Sequence, residues 1–242
     1  MRRVAGLGAI FIGIAVLAVA CGGDDDNDGN GTGGSRSFLL PEIEALVLQQ
    51  VSRMQDAVDA GLATDEAELG EVLPDLVLQA DDAPEGLSEL GGSFSTNAQA
   101  AGGLGGGATK EQLDEWGRIL GYRTDLQRTT PVTGANVTAI STSVSVYATA
   151  EGAGLSFDDR VAQAREADWQ LSHDELFEFE QEELSPDLPV DGLFWIRLTG
   201  FQQTGPDTQT LVSDDQIIFR VGQVWGFIGA VSQTPPVDLF GS

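Results

Sequence analysis

The stretch NVTAISTSVSVYAT, residues 136 to 149, decides the fold because its side chains alternate with a period of two. One face carries the apolar and small residues Ile140, Thr142, Val144, Val146 and Ala148. The other face carries the hydroxyl residues Ser141, Ser143, Ser145, Tyr147 and Thr149. Such alternation is typical of a β-strand that is packed on one side and solvated on the other. We therefore predict a half-buried strand whose serine face meets solvent.

Further strands are indicated on both sides of this stretch. The segment GYRTDLQRTT precedes it through PVTGA and is the predicted hairpin partner. Strands are also predicted over 192–201, 208–221 and 223–232, with Gly222 marking a tight turn. Short connections between successive strands favour antiparallel pairing.

The helices are predicted from spacings of three and four between apolar residues. The first covers 40–62, with Pro41 near its start and Gly61 near its end, and a shorter helix follows from 65 to 73. In the segment between the second helix and Thr109, a short apolar strand is predicted to give way to a loop. A capping box at Thr109 predicts a helix over 110–120, and Ser156 predicts the start of another that ends near 169. Together the elements predict an α+β fold, in which an antiparallel meander sheet packs against helices on one face and an N-terminal helix precedes it.

The C-terminal part resembles a known group of exported proteins. Its strand and Ala-rich helix, VSVYATAEGAGLSFDDRVAQA, followed by paired strands of the type IIFRVGQVWGFIGAV, are similar to lipoproteins with a PsbP/Mog1-like α/β/α sandwich. The resemblance covers about 120 to 232 and includes no catalytic residue. It implies a sandwich fold and a role in binding, in assisting assembly or in sensing.

The N-terminus has the layout of an export signal. Arg2 and Arg3 are followed by the uncharged run 4–20, and the residues LAVA before Cys21 resemble the lipobox of bacterial lipoproteins. That resemblance implies a diacylglycerol thioether on Cys21, cleavage before it and acylation, as by palmitate, of the new amino terminus. An uncleaved membrane helix and a buried structural cysteine are the alternatives. The predicted location is the cell membrane, with the protein lipid-anchored and facing outside the cytoplasm.

Composition divides the rest of the chain. We predict a signal peptide over 1–20, an acidic Gly/Asp-rich flexible tether over 21–37, a helical segment over 38–74 and an α+β globular domain over 75–236. Residues 24–29 match the first half of a calcium-loop pattern, but Ser35 stands where that loop needs a bidentate Glu. We interpret the segment as a solvated spacer.

The charge balance limits the partners. The chain has 38 acidic and 12 basic residues and a net charge of −26. Such a surface repels phosphate backbones and anionic lipids, so no nucleic-acid partner is predicted. The predicted partners are the membrane, reached through the lipid anchor, and an unknown protein or small-molecule ligand. The acidity serves either solubility or the capture of a cationic partner.

Few residues suit catalysis. The chain has one Cys and one His, His173, which excludes metal sites with two His ligands and an intramolecular disulfide. Ser172 adjoins His173, but adjacency in sequence places it badly as a nucleophile, and no G-x-S-x-G motif occurs. We predict no catalytic, cofactor-binding or metal-binding residue, although a calcium site made of carboxylates stays open.

An aromatic ligand surface is predicted on the C-terminal strands. Alternation in 192–201 places Trp195 and Arg197 together on the more polar face, and Trp225 with Phe227 extends that surface. The alternative is that these tryptophans fill the core. The sequence thus predicts a non-catalytic binding, sensing or assembly-assisting lipoprotein, not an enzyme, with an anchored carboxylate-dependent hydrolase as the alternative.

Overall fold

The computed structural model describes residues 40–102, 107–129, 134 and 136–238, and these form an antiparallel sheet with helices on both faces. The strands are β1 Leu87–Ser95, β2 Arg118–Arg128, β3 Asn136–Tyr147, β4 Leu176–Leu184, β5 Gly192–Gln203, β6 Thr208–Val221, β7 Val224–Gln233 and β8 Val237–Asp238. The α-helices are α1 Leu40–Asp59, α2 Glu66–Val72, α3 Asn97–Gly102, α4 Lys110–Glu115, α5 Ala150–Glu166 and α6 Trp169–Ser172. Short 3-10 turns lie at Leu73–Leu76 and Ala80–Asp82.

The sheet consists of two meanders joined edge to edge. Its strand order is β1-β2-β3-β7-β6-β5-β4, every pair is antiparallel, and β8 adds to β6. The first meander is β1–β2–β3, the second is β4–β5–β6–β7, and β3 joins them by pairing with β7. The predicted α+β class with an antiparallel sheet and an N-terminal helix is confirmed.

Helix α1 covers one face of the sheet. Its apolar stripe, which includes Ile43, Val47 and Met54, shares a hydrophobic core with Val144 and Val146 of β3. The buried Gln50 fixes this packing: its Oε1 accepts a hydrogen bond from Thr142 Oγ1 at 2.8 Å, and its Nε2 donates to the Ser143 carbonyl at 3.2 Å. The segment 38–74, as far as it is described, therefore shares its core with the sheet.

Helix α5 covers the opposite face. Val161 and Ala164 of α5 pack with Phe194, Ile218 and Phe227 in a second apolar cluster. The prediction that helices lie against one face is wrong, because the hydroxyl face of β3 also lies beneath a helix. Ser141 and Ser145 are buried there instead of solvated.

Three element predictions also need correction. The helix predicted over 110–120 ends at Glu115, and residues 118–120 already belong to β2. Residues 87–95 form the edge strand β1, where the sequence indicated a loop. Helix α5 begins at Ala150, not at Ser156: Thr149 is its N-cap, and the Thr149 hydroxyl accepts from Gly152 N at 3.1 Å. The hydroxyl of Ser156 instead bonds to the Tyr147 hydroxyl at 2.6 Å.

Candidate functional site: a serine-floored cavity

A cavity of about 250 Å³ lies between the hydroxyl face of β3 and helix α5. Strand pairing places its floor residues in rows across β1, β2, β3 and β7. The first row is Ser95, Gly121, Ser145 and Trp225, and the second is Ser93, Arg123, Ser143 and Phe227. Because residues paired across an antiparallel sheet share a face, every member of these rows points to the α5 side.

The roof and one wall are helical. Helix α5 contributes Ser156, Asp159, Arg160 and Gln163, whereas Leu113 of α4 and Ala100 of α3 add apolar surface. Gln163 Oε1 accepts a hydrogen bond from Gly107 N at 2.9 Å, and Gln163 Nε2 donates to Asp159 Oδ2 at 2.6 Å. The roof side chains are thus tied to one another and to the segment that precedes α4.

A β-bulge aims Arg118 into the cavity. In the pairing of β2 with β3, Arg118 lies opposite Tyr147 but Leu120 lies opposite Val146, so one extra residue is accommodated between them. A bulge changes the face to which the neighbouring side chain points. Arg118 therefore shares a face with Gly121, although their positions differ by three, which would place them on opposite faces of a regular strand.

We call Arg118, Ser95 and Ser145 the Arg118 corner. Arg118 Nε donates to Ser145 Oγ at 3.2 Å, and Nη2 donates to Ser95 Oγ at 2.8 Å. Nη1 donates to the Ser95 carbonyl at 3.1 Å and to Asn97 Oδ1 at 2.9 Å. All four acceptors are neutral. Arg118 as a whole residue is 7% exposed, and its guanidinium makes no ion pair with a carboxylate among the described residues.

Gly121 makes room for this corner. A Cβ at position 121 would overlap the Arg118 guanidinium and would lie 2.8 and 2.9 Å from the hydroxyls of Ser95 and Ser145. Any larger residue would therefore displace the guanidinium from its place between the two serines.

Positive charge is concentrated around this cavity. Three of the chain's 12 basic residues line it, namely Arg118, Arg123 and Arg160. Arg123 pairs with Asp125 at 2.8 Å. Burial lowers the pKa of Arg118 and of Arg160, and it raises the pKa of Asp159, the one carboxylate among the described lining residues. An arginine remains charged despite such a shift.

Two buried polar atoms of the floor are unsatisfied. Among the described residues, neither Ser141 Oγ nor Trp225 Nε1 has a hydrogen-bond partner. Native proteins contain few buried polar atoms without a hydrogen-bond partner, so each needs a specific explanation, such as a bound molecule that supplies the partner. Both residues line the cavity.

The predicted aromatic surface divides between the two faces of the sheet. Trp195 and Arg197 share a face, as expected, but they are 0% and 2% exposed and lie on the α1 side. Trp225 packs with the cluster beneath α5. The prediction that Trp225 extends the surface of Trp195 is wrong, because Trp195 pairs with Ile217 while Trp225 pairs with Arg220 and Ser145 on the other face.

Trp195 and Arg197 serve a buried ion pair. Arg197 contacts Asp215 through two hydrogen bonds, from Nε to Oδ1 at 2.8 Å and from Nη2 to Oδ2 at 2.9 Å. Trp195 Nε1 donates to Asp215 Oδ1 at 2.7 Å. Burial raises the pKa of Asp215, whereas these donors oppose that effect.

The only histidine also lies in an ion pair. His173 Nε2 is 3.0 Å from Asp214 Oδ2, and Nδ1 is 3.0 Å from both Ser172 Oγ and the Trp169 carbonyl. The Ser172 hydroxyl donates to that same carbonyl at 2.9 Å. Because both ring nitrogens face acceptors, the imidazole is placed as a double donor, and it does not take a proton from Ser172 as a catalytic base would.

Other sequence predictions meet the structure only in part. Cys21, the signal peptide and the tether lie outside the described residues. Within the described ranges, no helix has the length and apolar character needed to cross a membrane. The same residues assemble no group of three potential metal ligands.

The cavity itself escaped the sequence analysis. The alternation of serines at 141, 143 and 145 predicts a solvated face, whereas in the structure helix α5 covers these serines. Period-two patterning shows that a face is polar, but not whether a helix covers it. The bulge that redirects Arg118 leaves no sequence signal beyond Gly117, whose φ is +73°.

Comparisons with known proteins add little. No protein-family model matches the chain, and no curated protein is significantly similar to it. Among solved structures, the fold is similar to that of the extracellular domain of PknH from Mycobacterium tuberculosis. The two are 11% identical, with 66% of this chain and 85% of that chain covered and a TM-score of 0.35. An overlap at this level carries no argument about function.

Proposed function

We propose that this chain is a lipid-anchored, extracytoplasmic lipoprotein that acts as a non-catalytic binding module, with the serine-floored cavity as its ligand site. The observation that carries the proposal is the pair of buried unsatisfied polar atoms, Ser141 Oγ and Trp225 Nε1, on the floor of a cavity of about 250 Å³. A concave site that combines an apolar wall with convergent polar groups is typical of ligand sites. The lipobox-like residues before Cys21 support the anchored, extracytoplasmic location.

The arrangement favours binding over hydrolysis. A carboxylate-dependent hydrolase needs two carboxylates at the reacting bond. The described lining residues supply one, Asp159, and its Oδ2 already accepts a hydrogen bond from Gln163. The serines of the floor lie on two strands, β1 and β3, and His173 does not line the cavity.

The test is a ligand screen on the full chain. Thermal unfolding would be followed with short peptides, disaccharides, lysophospholipid, small aromatic acids and divalent cations. We expect one class to raise the melting temperature without being turned over. Ser143→Leu fills the cavity and should abolish the shift, whereas Ser52→Leu adds the same side chain on the exposed face of α1 and should not. A shift that survives Ser143→Leu, or turnover of the stabilising compound, would contradict the proposal.

A further inference from the structure

We infer that the cavity binds a small organic anion, with its acid group held at the Arg118 corner and its apolar part against Trp225, Phe227 and Leu113. This inference rests on the proposed function, because it requires the cavity to be a ligand site. It adds the chemical class of the ligand and the residues that recognise it.

The buried charge of Arg118 is uncompensated by any carboxylate among the described residues. Burial of an ion is costly unless an opposite charge is close to it. The other arginine buried in this sheet, Arg197, satisfies that rule through Asp215. Arg118 has four neutral acceptors instead, and it makes no ion pair within the described part of the chain. A bound anion would supply the charge that Asp215 supplies to Arg197.

The hydroxyl groups of Ser95 and Ser145 are available as hydrogen-bond donors. The hydroxyls of Ser95 and Ser145 accept from the guanidinium, so their own protons point away from it. No described residue accepts either proton. Two hydroxyl donors held by one cation form a site for the two oxygens of an acid group, because charge-assisted hydrogen bonds of this kind are the stronger ones.

An apolar wall of the cavity lies ready to contact the remainder of the ligand. Trp225 and Phe227 of β7 and Leu113 of α4 give the cavity an apolar wall. A bare inorganic anion would leave that wall unfilled. The carboxylate of Asp159 lies in the roof and repels a second negative group, so the acid belongs at the floor and the apolar body above it.

The probes are benzoate and benzamide, which have the same shape and differ in charge. Binding to the full chain would be measured by titration calorimetry and by saturation-transfer NMR, with inorganic phosphate as a third probe. We expect benzoate to bind about tenfold or more tightly than benzamide, since a charge-assisted pair is lost with the neutral probe. Phosphate should bind more weakly than benzoate.

Variants of the corner assign the preference to its residues. Arg118→Met should abolish the preference for benzoate. Because that change also removes bonds to Ser95 and Asn97, Ser145→Ala is the milder variant: it keeps the charge and removes one hydroxyl donor, and it should reduce benzoate binding while leaving benzamide nearly unchanged. Gly121→Ala should act as Arg118→Met does, because its methyl group displaces the guanidinium. Gly154→Ala, whose added methyl meets nothing, is the control.

The outcomes separate this inference from the proposed function. Equal binding of benzoate and benzamide, both blocked by Ser143→Leu, would overturn the anion inference and leave the cavity as a ligand site. A preference for benzoate that persists in Arg118→Met, Gly121→Ala and Ser145→Ala would also overturn it. Failure of the neutral and charged probes, together with a negative ligand screen, would overturn both.

Discussion

The environment of a buried arginine depends on what lies opposite it in the sheet. Arg197 lies directly opposite Asp215 across β5 and β6, and Trp195 Nε1 and Ser213 Oγ also donate to that carboxylate. The sequence placed Trp195 and Arg197 on one face correctly. It did not show that the face is buried, because that depends on the segments packed over it.

The ion pair predicts a large effect of removing its negative partner. Asp215→Asn retains an oxygen for Trp195 Nε1 but leaves the buried Arg197 cation without a counter-charge. We expect the free energy of unfolding to fall by about 3 to 5 kcal/mol, as for other buried pairs in which one partner is removed. Urea denaturation of the full chain would measure it.

The matched control is Asp207→Asn, which makes the same chemical change in the exposed connection between β5 and β6. Its effect should be within about 0.5 kcal/mol of zero. Similar losses for the two variants would show that Arg197 does not depend on Asp215 for its counter-charge.

At the level of elements, strong periodicity was the reliable guide. Helix α1 and strands β5, β6 and β7 lie close to their predicted bounds, and the Thr109 capping box with Gln112 is present at the start of α4. Strand β1 was missed because its glycines weaken the pattern, and Gly91 has a φ of +120°. Its residues are mostly exposed, so pairing with β2 rather than burial holds them in the strand.

Two glycines of helix α5 should respond in opposite ways when each is replaced by alanine, one losing and one gaining stability. A Cβ at Gly152 would overlap the carbonyl oxygen of Trp116, whereas a Cβ at Gly154 meets nothing. Gly152→Ala should therefore lower the free energy of unfolding, by about 1 to 3 kcal/mol for overpacking. Gly154→Ala should raise it by roughly 0.5 to 1 kcal/mol, because alanine is the better helix former.

Urea midpoints of the two variants would test this pair. The substitutions are chemically identical and lie two residues apart in the first turns of one helix, so helix propensity alone would give them the same sign. Stabilisation by both would mean that the close approach of α5 to Trp116 does not occur.

The contact between His173, which follows α6, and Asp214 of β6 predicts that the stability of the fold depends on pH. Burial alone would lower the pKa of His173, but the hydrogen bond and charge of Asp214 and the bond to the Trp169 carbonyl together raise it above its ordinary value. A group whose pKa is raised in the folded state stabilises it fully below the unfolded pKa, about 6.5 for His. That contribution is lost as pH rises through the folded-state pKa.

His173→Gln should therefore cost more stability in mild acid than in mild base. The difference in free energy of unfolding between wild type and variant would be compared at roughly pH 5.5 and roughly pH 8.5. Asp214→Asn should remove most of the same dependence, since it removes the charge that raises the pKa. A difference that grows toward high pH would contradict the ion pair.

Over the whole molecule, charge is distributed unevenly. The chain carries a net charge of −26, yet three of its 12 basic residues line one cavity. The edge strand β4 adds exposed acidic residues, among them Glu180 and Glu182, which disfavour edge-to-edge pairing with a second copy. The acidic balance of the chain is evident from its composition. The concentration of three arginines at one cavity is not, because it depends on the placement of β2, β3 and α5 beside one another.

This charge bears on how the proposed lipoprotein would be held at a membrane. A strongly acidic protein is repelled by anionic lipids, so electrostatic docking does not supply the attachment. In the proposed lipoprotein, two or more acyl chains would supply it, because each buried methylene contributes about 0.8 kcal/mol. We therefore expect salt washing to leave the protein on membranes and detergent to release it.

The lipidation of Cys21 is tested by the mass of the membrane-bound protein from a bacterium that processes lipoproteins. We expect a chain that begins at Cys21 and exceeds its polypeptide mass by a diacylglycerol group and usually by one further acyl chain. Cys21→Ser removes the thiol that forms the thioether, so no acylated product should form. A membrane-bound chain that retains residues 1–20 and a free thiol would show instead that the apolar run 4–20 is an uncleaved membrane helix, which a stretch of that length can nearly form. Protease treatment also distinguishes the acyl anchor from an uncleaved helix. Cleavage after the acidic segment 22–37 frees the folded domain in both cases, but only the acyl anchor leaves an acylated cysteine peptide in the membrane.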